Sequence, residues 1–149
     1  MDDQKNLNEP LALWCTCIIE ELYRQGVDLI CLSPGSRSTP LVLAAARKLE
    51  VKKKVFYDER SAAFFALGYA KAKNLPVAIL TTSGSALGHL LPTLIEAYED
   101  GIPLILITAD RPYELQNVGA NQTTTQTGVF DSYTVASLNL PPPGADPSL

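Results

Sequence analysis

With 149 residues, 46% of them hydrophobic and 19% charged, the chain has the size and balance of one globular domain, and a domain of that length buries roughly 68–70% of its unfolded surface. The net charge of −4 and the lack of a long Lys/Arg run argue against a nucleic-acid-binding face. No apolar run is long enough to span a bilayer, and the polar start Met1-Asp2-Asp3-Gln4 has no apolar signal core.

The first predicted helix starts near 8–10, where Asn8 suits an N-cap and Pro10 a first turn. Leu11, Cys15, Ile18 and Leu22 recur at helical spacing, and Gly26 closes the helix. A short buried strand follows over 28–32. The loop Ser33-Pro34-Gly35-Ser36-Arg37-Ser38-Thr39 then leads into a second helix that Thr39 and Pro40 open and that runs to about 49. Lys52-Lys53-Lys54 reads as a solvated turn ahead of a second strand over 55–57.

Glu59 opens a third helix rich in small residues: Ala62, Ala63, Ala66, Gly68, Ala70 and Ala72. Such a stripe suits either the close approach of a partner or tight packing within the domain. A third strand is expected over 77–81, a helix from near Gly84 to about 100, and a fourth strand over 103–108. Alternating β and α segments predict an α/β fold, a parallel sheet flanked by helices on both faces. Residues 119–126 form a polar stretch suited to a binding loop or to disorder. The segment 138–149, with Pro141-Pro142-Pro143, reads as a proline-rich linker after a domain over 1–137.

The strand count places four polar loops at the carboxyl ends of the strands, where parallel α/β sheets bind ligands. They carry Ser36 and Arg37, then Asp58-Glu59-Arg60, then Thr82-Ser83-Gly84-Ser85, then Asp110-Arg111. Arg37 stands before a helix N-terminus and offers a planar donor to carboxylate or phosphate. Its plainer reading is a surface ion pair beside a capping Ser38 or Thr39. Arg111 occupies the matching place after the fourth strand, and two such arginines suit a ligand with more than one carboxylate. Glu59 is either a first-turn carboxylate stabilised by the helix dipole or a desolvated acid able to share a proton with a ligand nitrogen.

Other chemistries lack their residues. Neither a dinucleotide nor a P-loop glycine motif occurs. Gly84-Ser85-Ala86-Leu87-Gly88 misses the nucleophile-elbow spacing, and the sole histidine, His89, falls inside a predicted helix. Cys15, Cys17 and Cys31 lack a C-x-x-C pair and are expected to be reduced thiols of an intracellular protein. No metal site is expected in this chain.

Five segments in order carry a resemblance: Ser33-Pro34-Gly35-Ser36-Arg37-Ser38-Thr39-Pro40-Leu41, then Asp58-Glu59-Arg60-Ser61-Ala62-Ala63, then Thr82-Ser83-Gly84-Ser85-Ala86, then Thr108-Ala109-Asp110-Arg111-Pro112, then Gly119-Ala120-Asn121-Gln122. Over about residues 10–131 the chain resembles the N-terminal pyrimidine-binding domain of the thiamine-diphosphate synthases that make 2-succinyl-5-enolpyruvyl-6-hydroxy-3-cyclohexene-1-carboxylate for menaquinone and phylloquinone. At Ser61, Ser85, His89 and Tyr113 it differs from residues common in that family.

The resemblance implies decarboxylation of 2-oxoglutarate and addition of the succinyl unit to isochorismate, a transferase reaction. It implies thiamine diphosphate and Mg2+ as cofactors, with the Mg2+ and diphosphate ligands in a domain that this sequence lacks. Glu59 then matches the catalytic glutamate at the aminopyrimidine ring, with Thr82, Ser83 and Gly84 near the cofactor. Ser36, Arg37, Arg111, Asn121 and Gln122 match substrate-binding positions. It implies further a homodimer, in which the diphosphate-binding domain comes from a second subunit, and a cytoplasmic protein, or a plastid one if the parent is plant-type. The isolated chain is expected to be inactive. Two other readings stand beside this one: a stand-alone pyrimidine-domain subunit of a two-chain decarboxylase, and a non-catalytic carboxylate-binding module.

Overall fold

The computed structural model describes residues 3–141 and residue 143. Four parallel strands lie in the order β2-β1-β3-β4, with β1 at Leu29–Leu32, β2 at Lys52–Val55, β3 at Val77–Thr81 and β4 at Leu104–Thr108. Four helices intervene: α1 Asp3–Arg24, α2 Thr39–Arg47, α3 Glu59–Lys73 and α4 Leu91–Asp100. Parallel neighbours need a crossover between them, and these crossovers lay helices on both faces. The expected α/β class is the observed one.

The central strands β1 and β3 are buried along their whole length. Alternation divides their side chains between two cores. Ile30, Leu32, Ala78 and Leu80 meet Cys15 and Ile19 of α1 and Ala44 and Ala45 of α2. Leu29, Cys31, Val77 and Ile79 meet Ala62, Ala63, Ala66 and Ala70 of α3, together with Leu90. Four of the six residues of the small-residue stripe of α3 are therefore spent inside the domain, all four alanines at 0% exposure. Gly68 and Ala72 lie on its exposed side.

Several boundaries differ from the expected ones for identifiable reasons. Helix α1 begins at Asp3 and carries Pro10 in its interior. A proline there removes one backbone donor, and the helix continues on both sides of it. Its buried stripe uses Ile19 in place of Ile18. Gly26 does close it, at φ +89°, with the Val27 N–H donating to the Leu22 carbonyl at 3.0 Å.

The lysine cluster is strand β2 itself, paired residue for residue with β1 from Leu29–Lys52 to Leu32–Val55. An edge strand tolerates lysine because one side of it faces water. Lys52 Nζ lies 3.1 Å from Asp28 Oδ2, Lys53 Nζ donates to the Lys48 carbonyl at 2.7 Å, and Lys54 Nζ sits 3.9 Å above the Phe65 ring.

The helix expected from Gly84 is split. A 3₁₀ stretch runs from Gly84 to Leu90, and α4 starts at Leu91 with a proline in its first turn. In a continuous α-helix the ring of Pro92 would strike the carbonyl four residues back. The linker expected over 138–149 lies outside the described residues at 142 and from 144 on.

Candidate functional site at the carboxyl edge of the sheet

Strand order reverses between β1 and β3, because the chain passes from β1 outward to β2 and then returns to β3 and β4. This is the topological switch point, and the crevice above it is the expected ligand position. Leu32 pairs with Leu80 in register, so Ser33 stands beside Thr81 at the top of the crevice. Both continue the face occupied by α3. The hydroxyls of Ser33, Thr81 and Thr82 are buried and have no hydrogen-bond partner among the described residues. A buried hydroxyl without a partner loses its water contacts and gains nothing in return. Three of them at one switch point mark a place suited to a polar ligand.

The crevice is narrow. A Cβ at Gly35 would stand 2.2 Å from Thr82 Cβ, so only glycine lets the β1 and β3 loops approach this closely. Ser38 and Thr39 do not cap α2. Their hydroxyls donate to the Gly35 carbonyl at 3.0 and 3.3 Å and close the loop on itself.

Glu59 is the first residue of α3 and is half-buried. The cap is its neighbour Asp58, whose Oδ1 accepts from the Ser61 N–H at 2.7 Å. That hydrogen bond holds the Asp58 carboxyl below its ordinary range. Because Asp58 takes the capping work, Glu59 is left for other contacts. Arg37 and Ser36 are exposed after β1. Arg37, Glu59 and Arg111 take part in none of the ion pairs among the described residues. The plainer reading of Arg37 as half of a surface ion pair therefore has no partner there.

The β3 loop is fastened to the long polar loop beyond β4. Ser83 Oγ donates to the Gln122 carbonyl at 3.0 Å, and Gln122 Nε2 donates to the Ser83 carbonyl at 3.1 Å. Gln122 adopts a left-handed backbone, φ +55°, and Gly84 has φ +82° with room for no side chain against Gln122. The Gln122 amide is thus spent on the Ser83 backbone. A second glutamine, Gln126, holds both Gly84 and Ala109. Sequence reasoning gave this residue no role, since its stretch of Thr and Gln carries no local pattern; it read Ser33 as the first residue of its loop and Thr81 as the last of its strand, and assigned neither a role.

Beyond β4, the Asp110 carboxylate accepts from the Arg111 N–H at 2.7 Å and from Gln116 Nε2 at 3.4 Å. Arg111 Nε is buried without a partner. A polar cavity of about 290 Å³ opens here, lined by Asp110, Gln116, Asn117, Gly119, Ala120 and residues 123–127. Asn121 is exposed and is not among the lining residues. Arg37 and Arg111 follow β1 and β4, with β3 between them, so about 10 Å of sheet separates their roots. The strand row thus separates Glu59 and Arg37 on one side from Arg111 and Asn121 on the other, with Thr82, Ser83 and Gly84 in the middle. His89 is exposed on the 3₁₀ stretch. Among the described residues no group of three His, Cys, Asp or Glu side chains could hold a metal ion.

Residues 15–132 match the family described as thiamine pyrophosphate enzyme, N-terminal TPP binding domain. The chain belongs to this family. As an N-terminal TPP binding domain it is also similar to proteins named 2-succinyl-5-enolpyruvyl-6-hydroxy-3-cyclohexene-1-carboxylate synthase. It is 50% identical to that of Chlorobium chlorochromatii over 141 residues, covering 95% of this chain and 24% of the relative. With that of Chlorobaculum parvum the identity is 49% over 139 residues, 93% of this chain and 24% of the relative. With that of Rubrobacter xylanophilus it is 52% over 134 residues, 90% of this chain and 23% of the relative. The chain therefore spans about a quarter of the length of these relatives. The unpartnered hydroxyls at the switch point and the half-buried acid of α3 fit the polar edge of an aminopyrimidine, the part of the cofactor that an N-terminal TPP binding domain would hold.

Proposed function

We propose that this domain supplies the pyrimidine half of the active site of a 2-succinyl-5-enolpyruvyl-6-hydroxy-3-cyclohexene-1-carboxylate synthase. The observation that supports this most directly is the pairing of 50% identity to such a synthase with a site of matching polarity at the switch point. Thiamine diphosphate would supply a nucleophilic carbon that lets 2-oxoglutarate lose CO2 and pass on its succinyl unit.

Glu59 would hydrogen-bond a ring nitrogen of the aminopyrimidine and move a proton there. Its freedom from capping and from ion pairing leaves the carboxylate available for that contact. Thr82, Ser83 and Gly84 would line the cofactor with backbone groups, and the small cross-section at Gly35 would keep water out beneath it. Arg37 with Ser36, on one side, and Arg111 with Asn121, on the other, would bind the carboxylates of 2-oxoglutarate and isochorismate. Their separation by one strand suits two acids, or two ends of one adduct, better than a single small carboxylate. In this reading Gln122 serves the substrate through the Ser83 backbone that it holds.

Mg2+ and the diphosphate would be held by a partner domain, contributed by a second subunit of a homodimer. The domain would occupy 1–137 and a linker 138–149, in a cytoplasmic enzyme of the menaquinone pathway or a plastid enzyme of the phylloquinone pathway. The isolated chain would be inactive. The high identity to synthases favours this over a two-chain decarboxylase or a carboxylate-binding module.

The test is a chimera in which this chain replaces the matching segment of the Chlorobium chlorochromatii synthase. The chimera is expected to consume 2-oxoglutarate in the presence of isochorismate, thiamine diphosphate and Mg2+. Glu59→Gln is expected to lower kcat by a factor on the order of 10² or more, the usual contribution of a positioned acid–base group. A chimera that folds without activity, or one indifferent to Glu59→Gln, overturns the reading.

A further inference from the structure

Beyond the last backbone bond between β3 and β4, where the Ala109 N–H donates to the Thr81 carbonyl at 3.0 Å, the two strand-end loops are bridged by a side chain that neither the motifs nor the reading above assigns. Gln126 Oε1 accepts from the Gly84 N–H at 2.8 Å, and its Nε2 donates to the Ala109 carbonyl at 3.1 Å. The backbone groups dictate the amide's orientation: an N–H can only donate and a carbonyl can only accept. Gly84 is buried with φ +82°, so its N–H would lack a partner without this side chain. Ala109 directly precedes Asp110 and Arg111. Gln126 therefore spans the cofactor side of the site, at Thr82-Ser83-Gly84, and the acid-binding side, at Arg111.

We propose that Gln126 is a positioning residue that sets the spacing between the β3 loop and the β4 loop, and so the place of Arg111 relative to the cofactor. The proposal rests on the synthase reading above. It differs from the role of Gln122, whose side-chain amide hydrogen-bonds only the Ser83 carbonyl. The two ends of the Gln126 amide do different work, which makes them separable. Gln126→Glu keeps an acceptor for the Gly84 N–H and loses the donor to the Ala109 carbonyl. Gln126→Ala loses both.

The experiment measures, in the active chimera, the activation constant for thiamine diphosphate and the KM for 2-oxoglutarate. Gln126→Ala is expected to raise both by about three- to tenfold, the size of one neutral hydrogen bond at each end. Gln126→Glu is expected to raise the KM by a similar factor while leaving the cofactor constant within about twofold of wild type. Lowering the pH should return the KM of Gln126→Glu toward wild type, because a protonated carboxyl regains the donor.

A purely structural role would move both constants together in both variants, in step with the thermal midpoint. That result, or no change in either constant, overturns the proposal. If the chimera with wild-type Gln126 is inactive, it is the synthase reading that fails. The positioning claim is then decided on the 149-residue chain by hydrogen exchange at the Gly84 amide. Protection lost in Gln126→Ala and kept in Gln126→Glu supports the claim; equal protection in both overturns it.

Discussion

At one edge of the sheet β2 presents Lys52, Lys53 and Lys54, and at the other β4 presents Leu104, Ile105, Leu106 and Ile107. Both are outermost strands among the described residues, yet they end the sheet in opposite ways. The β2 lysines place their ammoniums on Asp28, on the Lys48 carbonyl and over Phe65. Charge of this kind blunts an edge against further pairing. β4 is half-exposed along its whole length and keeps its apolar side chains partly uncovered on both faces. β2 is thus a finished edge, and β4 is an edge whose apolar faces are only half covered. The site follows the same division: Glu59 comes after the finished edge and Arg111 after the half-covered one.

The interior between the edges gives the reference against which both are judged. Gly35→Ala is expected to have the largest effect, about 3 kcal/mol of lost stability, because its Cβ would stand 2.2 Å from Thr82 Cβ in a packed crevice. Urea unfolding measures it, and adding Thr82→Gly should recover part of the loss. A Gly35→Ala chain as stable as wild type would mean that the two loops are free to part.

Next in size is Ile105→Lys on β4. Ile105 packs against the α1–α2 core, so about 2 kcal/mol is expected to go with its burial. The matched change on β2, Lys54→Leu, should alter stability by no more than about 0.5 kcal/mol, as exposed substitutions do. It should increase self-association in sedimentation velocity, because it uncovers an edge. Equal stability losses from the two changes would erase the contrast between the edges.

A pH-dependent effect links β2 to the interior. Cys31 pairs with Lys54 in register. Burial pushes the Cys31 thiol from 9.0 up to about 11, and the Lys54 charge partly opposes that rise. The folded state therefore favours the neutral thiol. This contribution is full below the unfolded value near 9 and is lost as pH rises through the folded value near 11. About 1 kcal/mol should be gone by pH 10. Cys31→Ala should flatten that decline in urea unfolding, and Lys54→Leu should steepen it, since the opposing charge is gone. An unchanged pH slope in both variants would show that Cys31 titrates as an exposed thiol does.

Much of the site was legible because its residues sit at fixed offsets from strand ends. Each apolar run ends in a polar loop, and a parallel sheet brings such ends to one edge whatever the details. The order of those loops along the edge was not legible. Strand order 2-1-3-4 inserts β3 between Arg37 and Arg111, and no local pattern encodes that. The partners of Gln122 and Gln126 were equally hidden, because they lie about forty residues away in sequence at Ser83 and Gly84.

Local chemistry alone determined β3 at 77–81, the start of α3 at Glu59 and the closure of α1 at Gly26, since each depends on a run of buried apolar residues, a capping carboxylate or a glycine at positive φ. Tertiary structure decided that the lysine cluster is a strand, that α1 carries Pro10 inside it, and that a 3₁₀ stretch precedes α4. It also decided which hydroxyls stay without partners. Those outcomes depend on what lies across the sheet or on the far side of a crevice, and a neighbour in space leaves no period in the sequence.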